Sequence, residues 1–240
     1  MPSIAVLSDV HGNSPALQAV LDDIRERGIG TTYCLGDLVG YGPDPNGVID
    51  LIRAAGVPTI MGNYDDGVGW ERGDCGCFYA DSEAKRVGEA SYAFTVREVT
   101  ADRKAFLRSL PAERHVALGR ESLHLIHGSP RKINEYLLRD REVKTFLRLA
   151  EAEEDDVLVF GHTHVPWQAT FGRVLFVNVG SVGRPKDGDA RSMYAVLRSE
   201  PGGSMEVETV RVFYDVEGTA QGIIAAGLPA ELAEAIRRGM

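Results

Sequence analysis

A chain of 240 residues with 35 acidic and 26 basic side chains, net charge −9, has no basic footprint for releasing counterions from nucleic-acid phosphates, which argues against a broad nucleic-acid surface. About 70–75% of the unfolded surface is buried at this length, and no linker or composition shift divides residues 1–240, which read as one domain. No apolar run approaches the roughly 20 residues of a membrane span, and three cysteines, two of them in one Cys-Gly-Cys, suit a reducing cytoplasm better than a disulfide framework.

The first run, SIAVLSD at 3–9, is apolar and bounded by polar residues, as in a strand buried on both faces; with no basic region before it, it reads as a strand rather than a signal peptide. HGNSPALQAVLDDIRERG follows as a helix, with Ser14 as cap, Pro15 in the first turn and Leu17, Val20, Leu21 and Ile24 on one face before Gly28. TTYCLGD at 31–37, PNGVIDLIRAAG at 45–56 and VPTIMGN at 57–63 read as strand, helix and strand. This alternation predicts a parallel sheet covered by helices, with ligands gathered at the carboxyl ends of the strands.

Residues 80–110 have helical periodicity, with Thr100 as a cap for ADRKAFLRSL. The second half is richer in strands: RHVALG with ESLHLIHG as a hairpin, VLVFGHTH, QATFGRVLFVNVGS with a tight turn, and SMYAVLRS and MEVETVRVFY joined by EPGG. AELAEAIRRG closes the chain as a short helix. The acidic run EAEEDD at 151–156 reads as a solvated helix end, and SPRKINEYL as a solvated loop entering a helix.

Apolar runs stop repeatedly at metal-competent side chains: SDVHGN at 8–13, GDLVGYG at 36–42, GNYD at 62–65, LIHG at 125–128 and FGHTH at 160–164. Singly, an Asp or Asn after a strand is a turn former, and a His beside glycine a structural residue. Together, Asp9, His11, Asp37, Asn63, His127, His162 and His164 make a mixed nitrogen and oxygen set too large for one tetrahedral ion and suited to two ions about 3.5–4 Å apart. His115 and His124 lie inside strands and are assigned to packing or hydrogen bonding.

In order and spacing, these blocks resemble the calcineurin-like metallophosphoesterase superfamily, and FVNVGSVGRPKDGDARSMYAVL resembles its smaller bacterial and archaeal phosphodiesterases. The resemblance implies a four-layer αββα sandwich of two mixed sheets flanked by helices. It also implies two divalent transition metal ions (Mn, Fe, Ni, Co or Zn), with Asp9, His11 and His164 on one, Asn63, His127 and His162 on the other, and Asp37 bridging. The expected reaction is hydrolysis of a small phosphoester, diesters favoured, by in-line attack of a metal-bridging hydroxide. An interaction scaffold with a weak or silent site is the alternative, and a homo-oligomer stays open.

The family's Gly-Asn-His-Asp block here reads GNYD, placing Tyr64 where a histidine would protonate the leaving group or position the phosphate. Tyrosine, with a reference pKa near 10, is a weaker donor at neutral pH, so the expectation is a slow or selective diesterase. Asp65 is assigned to orienting its neighbours, and Asn13 and Arg131 to substrate contact, with Asn134 and Tyr136 as further candidates. Cys75 and Cys77 are expected to be free thiols.

Overall fold

The computed structural model describes residues 1–202 and 204–240. In chain order these form β1 (Ser3–Leu7), α1 (Ser14–Glu26), β2 (Thr32–Cys34), α2 (Pro45–Ala55), α3 (Asn63–Gly69), α4 (Ser82–Glu98), α5 (Ala101–Ser109), β3 (Arg114–Leu118), β4 (Glu121–Leu125), α6 (Val143–Ala152), β5 (Val157–Phe160), β6 (Trp167–Phe171), β7 (Val174–Asn178), β8 (Ser192–Ser199), β9 (Met205–Val212), α7 (Val216–Ala225) and α8 (Ala230–Arg238). One sheet has the order β2-β1-β8-β9, the other β3-β4-β5-β7-β6. Both are mixed: β1 and β2 run parallel, as do β4, β5 and β7, while β8, β9 and the β3–β4 and β6–β7 hairpins are antiparallel.

The two-residue period of a strand explains the layering. In β1, Ile4 and Val6 join Leu123, Leu125, Val157 and Val159 in a core between the sheets. Ala5 and Leu7 point the other way, toward Leu17 and Val20 of α1 and Val48 and Ile52 of α2. On the far face of the second sheet, Leu158, Phe160 and Phe176 pack on Phe146 and Leu149 of α6. Helices therefore flank two stacked sheets, the αββα arrangement expected. The continuous apolar runs belong to strands covered on both faces.

Several local expectations are corrected. Asn13, not Ser14, caps α1: its Oδ1 accepts from the Ala16 N–H at 3.2 Å, while Ser14 donates to Asp44. The third strand shrinks to one bridge, Cys34 with Thr59, because the Met61 N–H turns to the Pro111 carbonyl instead of extending the ladder. Asn63 opens the short helix α3, and α7, capped by Asp215, was not anticipated at all. No helix follows Ser129 within 130–140. Of the EPGG connection, Gly203 lies outside the described residues.

Candidate metal centre

The metal-competent turns follow the carboxyl ends of strands from both sheets. Asp9 and Asp37 follow β1 and β2; His127 and the His162/His164 pair follow β4 and β5. Alternate side chains diverge along an extended strand, so Asp9 with His11, and His162 with His164, need a bend to converge. The backbone supplies it: Asp9, His11, Asp37, His162 and His164 all have positive φ, between 50° and 63°. Such left-handed positions are uncommon for non-glycine residues and concentrate at functional sites. Gly36 and Gly62 let two turns meet, since a Cβ on Gly36 would sit 2.3 Å from the Gly62 nitrogen and one on Gly62 2.1 Å from Asp37 Oδ1.

All seven side chains are buried and converge as two adjoining groups. In the first, His11 Nε2 lies 3.1 Å from His164 Nε2, and Asp9 Oδ1 is 3.7 Å from the former and 3.3 Å from the latter. In the second, His127 Nε2 lies 3.0 Å from Asn63 Oδ1 and 3.2 Å from His162 Nδ1. Asp37 Oδ2 faces both, 3.7 Å from His11 Nε2 and 3.4 Å from His127 Nε2.

The outer atoms of these ligands are tied down. Nδ1 of His11, His127 and His164 meets the carbonyls of Val39, Leu35 and Arg184 at 3.0, 2.8 and 2.6 Å, so each Nδ1 donates and each Nε2 points inward. The Asn63 amide donates to the Cys75 carbonyl, Asp37 Oδ1 accepts from the Tyr64 N–H, and Asp9 Oδ2 accepts from the His162 N–H. Asp9 Oδ1 is left buried without a hydrogen-bond partner. Lone pairs about 3 Å apart repel unless a cation lies between them. Ligands at about 2.0–2.1 Å around a tetrahedral ion are about 3.3 Å from each other, so the donor set fits divalent ions.

The electrostatics agree. Burial lowers the pKa of His11, His162 and His164, keeping them neutral. Burial alone would raise Asp9, but His164, His127 and His11 together hold its carboxyl well below the usual range. For His127 burial pulls down, yet Asp37 and Asp9 outweigh it and push the imidazole up to about 9.

The other expected residues take different places. Asp65 bonds to no histidine: its oxygens accept from the Leu38 and Gly62 N–H groups at 2.9 and 3.0 Å, clamping two ligand turns together. Tyr64 is 1% exposed, packed edge-on to His11 and against Tyr41, with its hydroxyl buried and unpartnered. It is a core side chain packed under His11, at the position where only a weak leaving-group donor was expected. Asn13 is spent on the α1 cap and on Gly183, and the Arg131 guanidinium on Glu135, so neither is free to hold substrate as expected. Cys75 and Cys77 are disulfide-bonded across the left-handed Gly76, correcting the free thiols and removing cysteine usage as an argument about compartment. Asn134 donates to the Gly76 carbonyl, while Tyr136 packs tilted against His162, with ring centroids 4.1 Å apart and 40° between planes.

Sequence reasoning missed Arg184 and Lys186. With Tyr41 and Tyr136 they line a cleft of about 340 Å³ beside the ligands. Arg184 lies over the Tyr41 ring, and the Lys186 N–H meets the His164 carbonyl. Burial first, then Arg184, draws the Lys186 ammonium down to about 7. The available signal was a cationic GRPKD in an acidic chain, directly after a glycine-flanked strand end. A larger cleft, about 810 Å³, lies between the ends of α1 and α2 and contains none of these residues.

A mixed αββα sandwich with an N/O ligand cluster at its strand ends defines a metal-dependent phosphoesterase architecture. The chain belongs to the calcineurin-like phosphoesterase superfamily, whose domain model matches residues 3–201. It is 32% identical to MJ0912 of Methanocaldococcus jannaschii over 254 residues, covering 98% of each chain. It is 28% identical to the phosphodiesterase YfcE of Escherichia coli strain K12 over 200 residues, 83% of this chain and 89% of that one. Among solved structures it resembles a metallophosphoesterase from Sphaerobacter thermophilus, with a TM-score of 0.79 and 29% identity over 100% of this chain and 99% of that one.

Proposed function

We propose that this protein, acting as one domain over residues 1–240, is a phosphodiesterase that uses two divalent transition metal ions to hydrolyse a small phosphoester. The observation that carries the reading is Asp37, whose Oδ2 faces both ligand groups. Asp9, His11 and His164 would hold one ion, Asn63, His127 and His162 the other, with Asp37 shared. Bound there, the ions would supply Lewis-acid polarisation of the phosphoryl group and a water acidic enough to act near neutral pH.

The protein's own part is to hold and orient. The three Nδ1–carbonyl bonds hold a proton on Nδ1 and aim Nε2 inward, and Asp65 locks the turns that carry Asp37 and Asn63. Arg184 supplies positive charge on the cleft side, where an anionic ester would approach, with Lys186 beside it as a hydrogen-bond donor, and Tyr41 and Tyr136 wall the leaving group. Tyr64 packs beneath His11 and transfers no proton. The relative named YfcE is a phosphodiesterase, which favours diesters over monoesters here.

The test is hydrolysis of a diester and monoester panel by protein loaded with manganese, nickel, cobalt or zinc, beside Asp37→Asn. Metal-dependent diester turnover lost in the variant is the expected result. No turnover with any ion and any ester would overturn the reading and leave the scaffold alternative.

A further inference from the structure

A second histidine–carboxylate cluster lies on the face of the five-stranded sheet, built from none of the seven residues above. His115 on β3 and His124 on β4 are direct cross-strand partners, so both project from the same face, with ring centroids 4.3 Å apart and 19° between planes. Their neighbours Val116, Leu118, Leu123 and Leu125 point into the core between the sheets, leaving the imidazoles on the α6 side. There the chain leaving α6 brings Glu153 and Asp155 over them. His115 Nδ1 is 2.5 Å from Asp155 Oδ2, and His124 Nδ1 is 2.9 Å from Glu153 Oε2.

The acidic run read from sequence as a solvated helix end is thus half wrong. Glu153 and Asp155 are buried, while Glu151, Glu154 and Asp156 are exposed.

For His124 and Glu153 the remaining atoms are committed in ways that leave one atom of each facing the other. Glu113 meets His124 Nε2 at 3.1 Å, so Nε2 can donate to that carboxylate while Nδ1 keeps its lone pair, as a carboxylate–histidine pair does behind a metal. Glu153 Oε1 accepts from the N–H groups of Glu154 and Asp155 at 3.0 and 3.2 Å, which leaves Oε2 toward His124. Arg173 donates to the Glu153 and Asp155 carbonyls and fixes that segment without neutralising either carboxylate. Ligand atoms of His124, Glu153 and Asp155 all lie within 4.8 Å of one another, and those of Glu113, His115 and His124 form a second such set that shares His124; His115 reaches the first set through Asp155. Among the described residues, Glu113, Glu153 and Asp155 make ion pairs only with these two histidines. Three carboxylates thus face two imidazoles, an excess of negative charge that a divalent ion would reduce.

We propose that His115 Nδ1, His124 Nδ1, Glu153 and Asp155 form a second, structural site for a divalent transition metal such as zinc, with Glu113 positioning His124. Two imidazoles and two carboxylates are a borderline-soft N/O set that suits zinc or cobalt rather than magnesium or calcium. The ion would fasten β3, the edge strand of its sheet, to the segment between α6 and β5, joining three stretches of chain.

The test strips the full chain of metal, dialyses it against a fixed free concentration of zinc, and counts bound ions by mass spectrometry alongside the melting temperature. Wild type should bind one ion per chain more than His115→Ala, a variant at a half-exposed side chain, and Asp37→Asn should keep that ion. Glu113→Gln should weaken the extra ion about 10-fold or more. Cobalt should report it independently: the ligand-field bands that Asp37→Asn keeps should be lost when His115→Ala is added to that variant. Equal metal content and equal zinc-induced melting shifts in wild type and His115→Ala would overturn the proposal and make the cluster a protonated ion-pair network. The count does not depend on hydrolysis, so it stands or falls apart from the phosphodiesterase reading.

Discussion

Two pairs of histidines occupy the same five-stranded sheet and differ in what holds their outer nitrogens. His127 and His162 stand at the ends of β4 and β5, and His127 Nδ1 is committed to the Leu35 carbonyl. His115 and His124 stand on the face of β3 and β4, and the atoms facing their nitrogens are carboxylates. A carbonyl can only accept, so it fixes the neutral tautomer. A carboxylate welcomes a proton as readily as it shares a metal. His127 is therefore aimed before any ion arrives, whereas the second pair can be satisfied by protons or by a cation.

The strongest way to break that contrast is Asp37→Asn. Losing a partner behind a ligand typically costs about 10–100-fold, so losing the shared ligand itself should cost more than about 100-fold in diester turnover. Steady-state kinetics with saturating metal measures it, and near-wild-type rates would remove the distinction between the clusters. Asp65→Asn is the next step down: weakening the clamp on two ligand turns should cost roughly 10–100-fold in metal affinity, read by chelator competition, with turnover largely restored at high metal.

Smaller effects sharpen the comparison from the substrate side. Arg184→Gln should raise KM about tenfold with little change in kcat, the scale of a lost hydrogen bond to a charged group. Tyr64→Phe should leave rates with good and poor leaving groups within about threefold, far below the 10²-fold or more of a general acid. Because the hydroxyl it removes is buried and unpartnered, its melting temperature should hold or rise slightly.

The sequence made the strands and the candidate ligands legible for one reason: both are written as an apolar run that stops abruptly at glycine and a polar side chain. β1, β2, the β3–β4 hairpin and β5 were found this way, and so were the converging side chains of the turns beyond them. What stayed hidden depends on partners distant in the chain. Nothing local says that Glu153 and Asp155 turn inward while Glu154 stays wet; His124 and His115, some 30 to 40 residues earlier, decide it. Asn13 and Arg131 looked available only because the α1 cap and Glu135 could not be seen competing for them. Arg184 and Lys186 sit in a segment without regular structure, where periodicity says nothing. Met61 shortened its strand because Pro111 offered a carbonyl from 50 positions away.

The ligand turns come from both sheets, Asp9 and Asp37 from one and His127 and His162 from the other. Ions held among them would act as rivets through the seam, converting two sheets able to open separately into one cooperative folding unit. Amide hydrogen exchange should register this directly: with metal bound, β1 and β5 protect to the same free energy, and chelation lets their opening energies part.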